Sequence, residues 1–181
     1  MSRTAPPYNS FVRFPLLACL ALLALPALSR QTPDIHFVPT PTEVVEAMLT
    51  VAQVGPTDVV YDLGSGDGRI VITAAQKYGA RGVGIELDRD LVNEANRNAR
   101  TAGVQDRVRF RRGDLFRQDL SPATVVTLFL SPSVNLRLQS KLLRELKPGT
   151  RVVSHQFPIG DWTPQSEQEV AGRKVYFWVV P

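Results

Sequence analysis

The sequence predicts an α/β fold: a doubly wound, mostly parallel sheet with a C-terminal antiparallel hairpin. Three observations carry this. Short apolar strands alternate with helical patterns from residue 58 onward. A glycine-rich turn joins the first of these strands to its helix. Thr124–Leu130 (TVVTLFL) is a nearly unbroken apolar run, as expected of a central parallel strand covered on both faces.

The elements follow in order. Residues 31–39 read as an extended lead-in. Thr40-Pro41-Thr42-Glu43 then has the form of a capping box, with Thr40 at N-cap, Pro41 at N1 and Glu43 at N3. Val44, Val45, Met48 and Ala52 give that helix one apolar face. Asp58–Leu63 is the first strand. Arg69–Tyr78 is a helix stopped by Gly79. Arg81–Leu87 is a strand, and Asp88 caps a helix over Asp90–Ala102 with the stripe Leu91, Val92, Ala95 and Ala99. Val108–Gly113 and Thr124–Leu130 are strands, a helix spans Val134–Leu146, and Arg151–Phe157 is a fifth strand. Ser166–Val170 and Lys174–Val180, joined by Ala171-Gly172-Arg173, read as a hairpin at the sheet edge.

The 181 residues suit one domain, and 44% apolar with 21% charged residues excludes a disordered, collagen-like or multi-pass membrane chain. Net charge is +4, from 21 basic and 17 acidic residues. Arg3 and Arg13 supply two of those charges, so residues 30–181 carry only +2 (19 minus 17), a poor argument for a nucleic-acid partner. Cys19 is the single cysteine, which excludes an internal disulfide and a cysteine-based zinc site; no metal site is expected.

Residues 1–29 stand apart. Two arginines precede the uncharged run Phe14–Ser29, which ends in Ala27-Leu28-Ser29. This is the pattern of a secretory signal, with an uncleaved membrane anchor as the second reading. The run is short of the ~20 residues that span a bilayer comfortably. The expected organisation is therefore a signal peptide or anchor over 1–29 and a catalytic domain over 30–181. The domain is expected to be exported, periplasmic or membrane-anchored, with membrane contact through the N-terminal segment.

Three motifs carry chemistry. Asp62-Leu63-Gly64-Ser65-Gly66-Asp67-Gly68-Arg69 lies between strand and helix. Its glycines allow a sharp turn and a close ligand, and the helix N-terminus offers backbone N–H groups. It is not the G-x-G-x-x-G of dinucleotide binders. Carboxylates at Asp62 and Asp67 would repel a pyrophosphate and suit a ligand carrying an ammonium and a sulfonium. Glu86 ends the next strand, 22 residues past Gly64, where an acid can accept both ribose hydroxyls. Asp88 competes for this role, but its position predicts a helix N-cap. Gly113-Asp114-Leu115-Phe116 ends the third strand. Asp114 there can accept from an adenine amino group, with Leu115 or Phe116 beside the ring, or can be an ordinary turn residue. All three sites fall at strand carboxyl ends, where doubly wound sheets bind ligands.

DLGSGDGR, GIELD and GDLF, in this order, resemble the class I S-adenosylmethionine-dependent methyltransferases, over most of residues 37–181. PTPTEVV before VVYDLGSGDGRI is similar to the small mitochondrial-type protein-lysine methyltransferases that act on the ATP synthase c subunit and the adenine nucleotide translocase. The resemblance implies a Rossmann-like methyltransferase sheet, S-adenosyl-L-methionine as cofactor, and a protein substrate, membrane proteins included. It implies that Asp62, Gly64 and Gly66 cradle the methionine end, Glu86 holds the ribose, Asp114 and Leu115 meet the adenine, and Thr40 closes over the cofactor.

The sequence departs from the family in two places. Leu130-Ser131-Pro132-Ser133 lacks the second proline and the aromatic of enzymes that methylate nucleic-acid amines, which disfavours a nucleic-acid partner. The usual helix between strands five and six is replaced by a loop holding Gly160-Asp161-Trp162. Ser131, His155, Asp161 and Trp162 are candidates for the acceptor side, and no catalytic base is assigned. Arg107, Arg109, Arg111 and Arg112 read as the solvated face of an edge strand. Alternative readings are a small-molecule or nucleic-acid methyltransferase, or a non-catalytic nucleotide-cofactor binder.

Overall fold

A computed structural model describes residues 1–2 and 37–181. The apolar run Phe14–Ser29, Cys19 and most of the lead-in lie outside the described residues. Among the described residues no helix is long and apolar enough to cross a membrane.

The elements are α1 (Thr42–Val51), β1 (Val59–Leu63), α2 (Arg69–Tyr78), β2 (Arg81–Glu86), α3 (Arg89–Thr101), β3 (Val108–Arg112), β4 (Val125–Leu128), α4 (Pro132–Glu145), β5 (Arg151–His155), β6 (Ser166–Val170) and β7 (Arg173–Val179), with a short 3-10 turn at Leu115–Arg117. They build one seven-stranded sheet in the order β3-β2-β1-β4-β5-β7-β6. The first five strands in chain order pair in parallel, and β7 pairs antiparallel with both β5 and β6. The predicted doubly wound sheet with a closing hairpin is therefore present. Strand order reverses between β1 and β4, which opens a crevice at their carboxyl ends.

Strand alternation sends successive side chains into two cores. On one face Val60, Val125 and Val153 pack under α1, α2 and α3, through Val44, Met48, Val71, Ala75 and Ala99. On the other, Leu63, Leu128, Val152 and Trp178 pack under α4, through Leu138 and Leu142. β4 is buried along its whole length, as its apolar run requires.

Local signals mostly hold. Asp88 caps α3, accepting from the amides of Asp90 and Leu91. Gly79 ends α2 in a left-handed conformation at φ 70°. The capping box at Thr40 does not form. Pro41 is the N-cap of α1, no side chain caps that helix, and the Thr40 hydroxyl turns inward to His155 instead. Arg151–Phe157 also runs shorter than expected. β5 ends at His155, because Ser154 Oγ donates to the Phe157 carbonyl at 2.6 Å and turns the chain.

Candidate functional site

The crevice is built from the carboxyl ends of β1, β2 and β4. Asp62, next to the last residue of β1, has 2% of its surface exposed. Across the β1–β4 pair, Thr127 Oγ1 donates to Asp62 Oδ1 at 2.7 Å. Burial pushes the Asp62 carboxyl up to about 7, the negative charges of Glu86 and Asp67 push the same way, and the Thr127 hydrogen bond opposes them. Thr127 has no place in any of the three motifs. Its only signal is a lone hydroxyl in an otherwise apolar strand.

After β1 the chain turns through Gly64 (φ 82°) and Gly66 (φ 52°), in the region that favours glycine. At Gly66 space is as limiting as conformation: a Cβ there would lie 2.1 Å from the Phe37 ring. The turn's amides are mostly spent on holding the loop. Gly64 and Ser65 donate to the Ile85 carbonyl, and Gly66 donates to Glu86 Oε2 at 2.9 Å. The expectation of a row of free N–H groups facing a ligand is corrected accordingly. Glu86 Oε1 accepts from Leu87 and Asp88, so this carboxylate pins the loop to the end of β2.

Asp67 does not stand beside Asp62 as a second ligand carboxylate. It is turned to Arg69, which donates through Nε at 3.0 Å and Nη2 at 2.6 Å. Its main-chain carbonyl accepts from Asn98 Nδ2 at 3.0 Å. The pair neutralises Asp67 and anchors the start of α2. Arg69 Nη1 also donates to the Thr40 carbonyl at 3.0 Å, tying the lead-in to the glycine turn.

Asp114 follows β3 and is exposed. Its Oδ1 accepts from the Phe116 amide at 2.9 Å, the ordinary turn role weighed for it, and Arg117 Nε approaches Oδ2 at 3.8 Å. Leu115 is half-buried against the core on the α4 face. The structure thus brings Asp62, Gly64, Gly66, Glu86 and Thr40 into one connected cluster. Asp114 and Leu115 stand at the next strand end.

The acceptor-side candidates divide. His155 is fully buried, with Nδ1 3.2 Å from Thr40 Oγ1. Burial lowers its pKa to about 4, with Arg173 adding to the effect, so the ring is neutral near pH 7. Ser131 is the exposed N-cap of α4. Asp161 accepts from Gln139 on α4, and the Trp162 carbonyl accepts from Trp178 on β7. Those two residues fasten the loop that replaces a helix. Asn135, absent from every motif, is the main organiser of this region. Buried in α4, its Nδ2 donates to Ser154 Oγ and to the carbonyls of Phe157 and Pro158 at 3.2–3.3 Å.

These features suit a cationic ligand. Asp62 and Glu86 bring two carboxyl groups to one crevice with no cation between them, and the Glu86 charge raises the cost of ionising Asp62. In the turn between them Ser65 Oγ is buried over Gly84 without a partner. A sulfonium and an ammonium would relieve the first condition, whereas a pyrophosphate would worsen it. Among the described residues no cluster of side chains could hold a metal ion.

A family model, the ANTKMT methyltransferase domain, matches residues 62–166. The chain belongs to this family. It is an S-adenosylmethionine-dependent methyltransferase. The methyltransferase is 46% identical over 153 residues to a protein-lysine N-methyltransferase of Saccharolobus islandicus, covering 82% of this chain and 95% of the relative. It is 40% identical over 147 residues to an adenine nucleotide translocase lysine N-methyltransferase of Mus musculus, covering 80% of this chain but 63% of that protein. Among solved structures, one described as an RNA methyltransferase from Salinibacter ruber in complex with S-adenosyl-L-homocysteine superposes with a TM-score of 0.79. That protein is 59% identical, and the match covers 80% of this chain and 94% of its own.

Proposed function

We propose that this methyltransferase transfers a methyl group from S-adenosyl-L-methionine to a lysine amine of a protein. The observation that carries the reading is the 46% identity to a protein-lysine N-methyltransferase along 95% of that protein's length. The crevice supports it: the acids suit a cationic donor, and the buried, neutral surroundings of His155 suit an amine that must shed its proton before it attacks.

In this reading Asp62, Gly64 and Gly66 cradle the methionine end, Glu86 takes the ribose hydroxyls on its remaining lone pairs, Asp114 and Leu115 meet the adenine, and Thr40 closes the crevice from the lead-in. The cofactor supplies an already activated methyl group. The protein's work is to align donor and acceptor and to exclude water.

RNA is the second reading, favoured by the description of the 59% identical Salinibacter ruber structure. The experiment that separates the two is transfer of labelled methyl into a cell extract, divided and treated with nuclease or protease. Label that survives nuclease and maps to lysine by mass spectrometry supports the protein reading. Label lost to nuclease overturns it.

The apolar run Phe14–Ser29 supports a further proposal, that the chain is exported or held at a membrane and meets membrane-protein substrates there. A C-terminal reporter active in only one compartment tests this.

A further inference from the structure

His155 is buried, ionisable and without a task in cofactor binding. Asp58 and Lys141, also buried, are paired with Arg151 and Glu145. The imidazole lies on the same sheet face as Asp62, Thr127 and Phe129, at the carboxyl end of β5, and stacks on the Phe129 ring at 3.9 Å between centroids. Next to Phe129, the Leu130 side chain covers Gly64, approaching within 2.8 Å of where a Cβ would stand. One short segment after β4 therefore links the imidazole to the glycine turn.

Both ring nitrogens are defined. Nδ1 meets the Thr40 hydroxyl, and Nε2 is buried with no partner. A buried polar atom without a partner in a native fold calls for a reason. Strain sits beside it: Gln156 is a non-glycine residue at φ 69°, its amide fixed to the Lys174 carbonyl at 2.7 Å. Thr40, the partner of Nδ1, belongs to the 37–41 segment, which is exposed at Phe37 and Val38.

We propose that His155 positions the methyl acceptor: with its Nδ1–H given to Thr40 Oγ1, its bare Nε2 takes a hydrogen bond from the acceptor N–H and turns that nitrogen's lone pair toward the methyl donor. This rests on the amine reading above. In the transfer the new N–C bond forms as the methyl–sulfur bond breaks, the electron pair of that bond stays on sulfur, and the surplus proton of the product leaves to water. His155 orients the amine and does not take the proton.

Side-chain ¹⁵N NMR on the full chain tests the assignment without any substrate. The expected result is the neutral Nδ1–H tautomer at neutral pH. A proton on Nε2 overturns the proposal. Kinetics with poly-L-lysine give the second test. His155→Phe keeps the stack on Phe129 and should lower kcat by roughly tenfold or more with S-adenosylhomocysteine affinity retained, and Tm should fall because the buried Thr40 hydroxyl loses its partner. His155→Gln should restore part of the loss. Thr40→Val keeps the main-chain bond to Arg69 and should reproduce the loss of kcat, and in this variant the Nδ1–H tautomer should no longer dominate. Unchanged kcat in His155→Phe overturns the proposal. If the wild type binds S-adenosylhomocysteine yet labels neither poly-L-lysine nor extract protein, the amine reading itself falls and takes this role with it, whichever tautomer is seen.

Discussion

Thr127 Oγ1 donates to Asp62 Oδ1 across the β1–β4 pair, at the point where strand order reverses. The bond holds one oxygen of a carboxyl whose burial has already pushed it up to about 7. A cationic ligand favours the ionised form. Affinity for S-adenosylhomocysteine, which carries an ammonium, should therefore rise with pH through about 7, and binding below that pH should release a proton. Titration calorimetry in buffers of different ionisation enthalpy reads both effects. Asp62→Asn should abolish them, and a persistent pH dependence in that variant would assign the proton elsewhere.

The same two buried groups pull stability in opposite directions. Asp62 is raised from 3.8 to about 7, so its contribution is present below the lower value and lost as pH rises through the upper one. His155 is lowered from 6.5 to about 4, so its contribution is present above 6.5 and lost as pH falls through about 4. Between those values the two oppose each other. Asp62→Asn leaves His155 alone, and its urea stability should climb more steeply with pH across that window than the wild type's. Parallel curves would count against the Asp62 assignment.

Glu86 holds the glycine turn and is proposed to hold the ribose. Glu86→Ala should weaken S-adenosylhomocysteine binding by about 1–3 kcal/mol and also lower Tm, because the amides of Gly66, Leu87 and Asp88 lose their acceptor. Glu86→Gln keeps an acceptor oxygen and should lose less of both. Calorimetry and thermal melts on the two variants check this. Full affinity in Glu86→Ala would remove the residue from the site.

Gly66 faces two obstacles to any side chain, its φ of 52° and the Phe37 ring. Gly66→Ala should cost roughly 1–3 kcal/mol of stability. Adding Phe37→Ala removes the clash but not the backbone cost, so recovery should be partial. Denaturant titration of the single and double variants decides. Full recovery would mean that conformation costs little here.

Asn135 fixes the chain after β5 through three donated bonds. Asn135→Ala should destabilise the fold by about 1–3 kcal/mol, since the buried Ser154 hydroxyl and the carbonyls of Phe157 and Pro158 lose a shared donor at once. Hydrogen exchange should rise first at residues 156–162. A uniform rise would show that the loop does not depend on this residue.

Much of this architecture could be read from the residues. Regular signals were legible because each rests on short-range physics: the period of the α2 stripe, the Asp88 cap, the apolar β4 run and the hairpin around Gly172. Local signals fail where two partners compete for one group. The Thr40 hydroxyl could cap its own helix or reach His155, 115 positions away, and nothing local decides between them. Asp67 could face a ligand or Arg69, two residues on, and the guanidinium prevails. Thr127 and Asn135 act only through partners brought by the sheet order, so no motif contains them.

Among the described residues, the two outermost strands of the sheet expose side chains of opposite charge. β3 exposes Arg109, Arg111 and Arg112, while the outermost strand at the other end, β6, exposes Glu167 and Glu169. Two copies that brought like edges together would meet repulsion, arginine against arginine or glutamate against glutamate, which guards against growth of the sheet through identical edges. The same arrangement leaves only unlike edges free of this repulsion, so any lateral pairing of two copies would have to set β3 against β6.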